Sequence, residues 1–186
     1  LVFDLDGSNG ANQVRHDIQV EDFMPERMAL ELHGSEQPLA PDDTVAIDVA
    51  GRFLYGAPVI GSEVQGQLFV RPLREAVGSW PGYQFGAVTE KIPVQSLDFK
   101  TVLTDQAGAA RLQMGSQWGD VRSPLELVAR VSLMETGGRP VTRRYLQPVW
   151  PATMLVGIRG HYMDGQVDAD SKVAFSVLLA NARGEL

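Results

Sequence analysis

The stretch Val20-Glu-Asp-Phe-Met-Pro25-Glu-Arg-Met28-Ala-Leu30-Glu-Leu32 is spelled a second time near the far end of the chain, as Leu146-Gln-Pro-Val-Trp-Pro151-Ala-Thr-Met154-Leu-Val156-Gly-Ile158. Pro25 maps onto Pro151, Met28 onto Met154, Leu30 onto Val156 and Leu32 onto Ile158 at one constant offset. Further on, Asp42-Asp-Thr-Val45-Ala-Ile47-Asp-Val49 is matched by Asp170-Ser-Lys-Val173-Ala-Phe175-Ser-Val177, the offset having lengthened through a loop. A period this long marks a whole domain, since solenoid units run to roughly 20–50 residues. The chain therefore divides into the end of one module (residues 1–21), one complete module (22–150) and the opening strands of a second copy (151–186). It reads as an excerpt from a tandem array.

Working outward from the repeat, apolar residues recur at every second position. Met28, Leu30 and Leu32 alternate with Arg27, Ala29, Glu31 and His33; Val45, Ile47 and Val49 alternate with Ala46, Asp48 and Ala50. Val64, Leu68 and Val70 share one face, and Leu125, Leu127, Ala129, Val131 and Leu133 share another. Period two with one polar face is the pattern of half-buried antiparallel strands. Turn chemistry separates the runs at Asp6-Gly7, Ala40-Pro-Asp-Asp43, Asp105-Gln-Ala-Gly108, Gly137-Gly138 and Asp164-Gly165. Gly137-Gly138 predicts a terminal hairpin between Leu125–Met134 and Pro140–Gln147. No segment carries a helical period beyond a turn or two at Pro72–Val77. About seven short strands in a module of about 125 residues predict an all-β, antiparallel two-sheet sandwich, with Leu30, Ile47, Val49, Leu68, Leu127 and Val131 in its core.

Composition narrows the function classes. The 186 residues carry 23 acidic and 16 basic side chains, a net charge of −7, which argues against a nucleic-acid or anionic-membrane surface. With no Cys there is no disulfide, thiolate nucleophile or thioester in this stretch. It has no apolar run long enough for a membrane helix and no signal peptide, so this piece is expected to be soluble, with nothing implied about a parent protein. His16, His33 and His161 lie far apart without metal-ligand spacing. Ser8, Ser62 and Ser123 lack the Gly-x-Ser-x-Gly elbow. Asp42-Asp43 and Asp168-x-Asp170 read as solvated turns, since a calcium ion needs about six or more oxygen ligands. Arg139, Arg143 and Arg144, beside Glu135, read as a charged face guarding a sheet edge. The expectation is a piece with no catalysis, cofactor or metal.

Two segments break the alternation. Arg52-Phe-Leu-Tyr-Gly-Ala-Pro-Val-Ile-Gly61 suits a strand end crossing between sheets, with Gly56 permitting close backbone approach. Ser79-Trp-Pro-Gly-Tyr-Gln-Phe-Gly86 is an aromatic loop. Trp80, Tyr83 and Phe85 are expected to fold back as a plug over an open end or edge of the sandwich, because aromatic rings gain most from burial; the competing reading is an exposed platform for a glycan or peptide.

The linker Val20-x-x-Phe23-x-Pro25-x-Arg27, followed by Arg52-Phe-Leu-Tyr-Gly-Ala-Pro58 and Gly61, resembles the macroglobulin domains of bacterial alpha-2-macroglobulins. Tyr83-Gln-Phe85-Gly86 and Leu103-x-Asp105-x-x-Gly108-x-Ala110 are similar to the same family, and the resemblance covers essentially the whole chain. It implies fibronectin- or Ig-like sandwiches in tandem within a large inhibitor that entraps proteases after one of them cuts a bait region. It also implies neighbouring macroglobulin domains and target proteases as partners, and a periplasmic location in which some members are anchored to the inner membrane. No bait segment and no thioester motif is found in this stretch, so none of the family's reactive residues carries over. The alternative is a tandem Ig-like adhesion or glycan-binding module of an extracellular protein. The residues expected to matter are structural: Phe23 and Pro25, with Trp150 and Pro151 in the second copy, form short apolar hinges. Proline fixes φ and keeps its predecessor extended, so such hinges should bury Phe23 and Trp150 and hold adjacent modules at a defined angle.

Overall fold

The computed structural model describes residues 26–92, 95–135, 139–161, 170 and 172–186, together with the backbone of 2–3 and 14–15. Two short strands, β1 (Val2–Phe3) and β2 (Val14–Arg15), pair antiparallel ahead of the central module. The module itself contains β3 (Met28–His33), β4 (Val45–Phe53), β5 (Glu63–Pro72), β6 (Gln84–Phe85), β7 (Ser96–Asp98), β8 (Val102–Leu103), β9 (Ala109–Met114), β10 (Leu125–Leu133) and β11 (Val141–Val149). A final hairpin, β12 (Leu155–His161) and β13 (Ala174–Ala180), follows. All pairings between strands are antiparallel, and no helix occurs among the described residues.

One sheet of the module runs β3-β4-β9; the other runs β11-β10-β5-β7, with β8 also paired to β5. The alternation explains the stacking. Leu30, Val45, Ile47, Val49 and Leu112 point from the first sheet, and Val64, Leu68, Leu125, Leu127, Val131 and Leu133 point from the second, into one continuous core that also holds Trp118. All six core residues expected from the alternation are buried there. Each such side chain contributes roughly 1.5–3 kcal/mol on leaving water, so β10, buried along nearly its whole length between β5 and β11, is the centre of stability.

Three details differ from the sequence reading. Among the described residues eight strands, not seven, build the two sheets. The extra one arises because the free edge of the ten-residue β5 is covered by two short pieces, β7 and β8, on either side of Phe99, whose N–H donates to Gly66 O at 2.8 Å. Second, Arg52–Gly61 does carry the chain from β4 in the first sheet to β5 in the second, as expected, but it crosses by way of a turn and not by a close backbone approach at Gly56. The chain turns back on itself at 54–56, so that Arg52 bridges Pro58, and Gly56 is needed for its φ of 99° with nothing packed against it. Third, β6 leaves the module and pairs with β12. The expected terminal hairpin is β10–β11, paired from Leu133↔Val141 to Leu125↔Val149; its Gly137-Gly138 turn lies outside the described residues.

Candidate functional site

The residues best placed to do something beyond filling the core gather where the module meets the final hairpin. β11 ends at Val149, and Trp150 turns into a second, smaller cluster with Val77, Tyr83, Phe85 and Ala180. The chain is tied down at this point: Trp150 N–H donates to Leu39 O at 2.8 Å and Leu39 N–H to Pro148 O at 2.9 Å. Trp150 is 8% exposed, and its ring lies 5.6 Å from that of Phe85, tilted by 56°. Its indole N–H has no acceptor among the described residues, so shape and burial hold it. Pro151 is partly exposed beside it. Phe23 and Pro25, the other pair of expected hinge residues, lie outside the described residues.

The aromatic loop supplies the other half of the junction. Trp80 donates its indole N–H to Gly184 O at 2.9 Å, and Trp80 and Tyr83 meet edge to face at 6.1 Å. The guanidinium of Arg159 on β12 sits 4.9 Å from the Tyr83 ring centre, a cation–π contact. The rings are turned inward, against the exposed-platform reading. They plug an edge as expected, but the edge is that of β12, outside their own sandwich. Sequence reasoning missed this destination, because a two-residue strand has no period to read. The root of the loop is fixed by Ser123, which is buried and accepts from Ala87 N–H at 2.8 Å, and by Glu90, which accepts from Arg122 N–H at 2.7 Å. Burial pushes the Glu90 carboxyl up, but hydrogen bonds from Ser123 and Arg122 and the nearby Arg74 charge together bring it below its ordinary value.

The residues weighed as catalytic or ligating are dispersed. His33 lies beside Glu31 at 3.7 Å on the surface, His161 bonds Ser176 at 2.5 Å, and His16 and Ser8 lie outside the described residues. Asp43 accepts from Ala40 N–H at 2.7 Å and so closes its own turn; Asp170, in an exposed turn, has a φ of 65°, and Asp168 is outside the described residues. Among the described residues no three His, Cys, Asp or Glu side chains come together to hold a metal. Arg143 makes a two-pronged ion pair with Glu26, at 2.8 and 3.2 Å, on the edge strand β11. That contact pins the start of the module to its last strand. Tyr145, whose phenol burial pushes up, donates to Gln147 Oε1 at 2.7 Å.

Two stacked antiparallel sheets, followed by a hairpin that repeats the first one and is fastened through aromatic contacts, define a tandem sandwich segment whose informative site is a junction. The family described as the bacterial alpha-2-macroglobulin MG5 domain matches residues 26–151, and the chain belongs to that family. It is 43% identical to the alpha-2-macroglobulin of Escherichia coli K12 over 95% of its own length and 12% of the relative's. Its structure is similar to the native E. coli alpha-2-macroglobulin seen by electron cryo-microscopy, with a TM-score of 0.81 and 42% identity. It is equally similar to the trypsin-activated E. coli protein in a crystal, with a TM-score of 0.79 and 43% identity; the likenesses cover 95% and 96% of this chain and 12% and 13% of those chains. The chain thus spans about an eighth of the relatives it matches, as a macroglobulin-domain segment. The adhesion and glycan-binding alternative is set aside by this membership.

Proposed function

We propose that this segment is a mechanical link, without catalysis, cofactor or metal of its own, in the shell of a bacterial alpha-2-macroglobulin that entraps proteases after bait cleavage. The observation that carries the reading is the near-equal likeness to the native and the trypsin-activated E. coli protein. A segment of this shape serves both states, as a part that moves without being remade would. The module boundaries at 22–150, flanked by the end of one domain at 1–21 and the opening of the next at 151–186, belong to this proposal. So do the hinges at Phe23, Pro25, Trp150 and Pro151, which leave almost no slack chain between modules. Its partners are target proteases, met through the whole protein, and the adjoining macroglobulin domains, with further periplasmic proteins as candidates. The location is the periplasm, with tethering to the inner membrane, in defence of the cell envelope.

The test is to mix the full-length protein carrying this segment with trypsin and offer a large and a small substrate. Entrapment predicts that casein is spared while a small chromogenic amide is still cut. Loss of both activities, or of neither, refutes entrapment. Release of the protein by osmotic shock and its partition between soluble and membrane fractions test the location.

A further inference from the structure

We propose that the loop 74–87 is an interdomain clasp that donates Gln84–Phe85 as an edge strand to the next module and holds the two as one rigid body. This deepens the hinge reading and rests on residues 151–186 opening a separate module. The geometry is specific. Phe85 stands opposite Gly157 and Gln84 opposite Ile158 in antiparallel pairing, extending the sheet to β13-β12-β6. Strand addition satisfies backbone groups on an otherwise open edge. Phe85 is fully buried, and a Cβ on Gly157 would lie 2.7 Å from its ring, so only glycine admits the ring at that position.

The two copies of the opening hairpin show that the fit is built for this junction. Glu31, the counterpart of Gly157, and Arg52, the counterpart of Ala180, are charged and exposed; on the second hairpin both positions are side chains small enough to be covered, and both are buried. The face that is wet in the first copy has been made dry in the second, and what dries it is the loop. On the module side the loop is equally constrained. Phe85 N–H donates to Arg74 O at 2.8 Å and closes its base. Gly86, with a φ of 81°, leaves no room for a Cβ beside Ser123. The angle between the modules is therefore set by a loop far from the linker in sequence, and Pro151 only limits slack.

The test uses the full-length protein carrying this segment, with Gly157→Glu and, separately, Phe85→Ala. Amide hydrogen exchange and the spread of intermodule angles in electron cryo-microscopy images are the readouts. Both variants should lose protection at 83–86 and 157–158 and replace one intermodule angle by a spread, while β10 and the β12–β13 pairing stay protected. Unchanged protection with a single angle in both variants overturns the clasp and leaves the linker to set the angle. Loss of protection throughout β12 and β13 overturns instead the reading beneath it, that 151–186 opens a separate module. Gly157→Glu alters nothing in the central module, so its effect cannot be charged to misfolding there.

Discussion

In the first hairpin Leu30 stands opposite Gly51; in the second its counterpart Val156 stands opposite Leu179, the position equivalent to Gly51. The two hairpins share one register, yet their burial is nearly inverted. Leu30, Ile47 and Val49 are 5%, 0% and 2% exposed, while Val156, Phe175 and Val177 are 51%, 59% and 64% exposed. The opposite face behaves the other way, with Glu31 and Arg52 in water and Gly157 and Ala180 covered. Alternation specifies the hairpin and its register, whereas dryness is supplied by whatever packs on each face. The first hairpin has a complete second sheet on its apolar face. The second has the clasp on one face, and on the other an apolar surface of the kind its twin buries.

The largest effect expected from this contrast is between matched core positions. Ile47→Ala in the 186-residue chain should cost about 4 kcal/mol, through lost transfer energy and a cavity between sheets. Phe175→Ala, its counterpart, should stay within about 0.5 kcal/mol of the parent. Urea unfolding followed at Trp118, which is buried in the central core, measures both. In the full-length protein Phe175→Ala should become costly, as a second sheet closes over it. Equal costs in the short chain would break the comparison.

A smaller effect separates shape from hydrogen bonding at the junction. Since the Trp150 indole N–H meets no acceptor among the described residues, Trp150→Phe should cost only about 1 kcal/mol, part of a ring without a broken hydrogen bond. A loss comparable to that of Ile47→Ala would mean that the indole N–H has a partner, and that the cluster around Phe85 is held by more than packing.

How much of this was legible in the sequence follows from the same physics. The long strands were readable because each exposes one face to water, and Leu127 or Val131 had to alternate with Glu126 and Arg130. The repeat was readable because two hairpins under one constraint keep the same spacing. β6 was not, because two residues define a strand only through their partner, which lies some seventy positions away. The signal that would have exposed it was present: Glu31 and Arg52 become Gly157 and Ala180, a loss of charge that a wet face has no reason to show. Likewise Gly56 and Gly157 both have apolar sequence neighbours, and only the folded chain tells that one serves an exposed turn and the other a neighbouring ring.

The least effect, and the one confined most narrowly to the clasp, concerns acid. Glu90 sits at the root of the loop, and its carboxyl in the folded protein is below its ordinary value of 4.5. Burial works against ionisation there, and the hydrogen bonds from Ser123 and Arg122, with the Arg74 charge, outweigh it. A carboxyl depressed by folding stabilises the folded state above its unfolded pKa and surrenders that contribution as pH falls through its folded pKa. Below about pH 5, where the carboxyl of the unfolded chain begins to take up a proton, hydrogen exchange at 84–90 should therefore quicken on acidification, after correction for the intrinsic pH dependence of exchange. The first hairpin, β3–β4, should not respond to Glu90 at all, since its contacts lie in the other sheet. Glu90→Gln should remove the acid response of the loop while lowering its protection somewhat at neutral pH, because a neutral amide accepts more weakly from Arg122 N–H. If the Gln variant keeps the same acid limb as the parent, some other group titrates at the junction and Glu90 is not what fastens the clasp to its module.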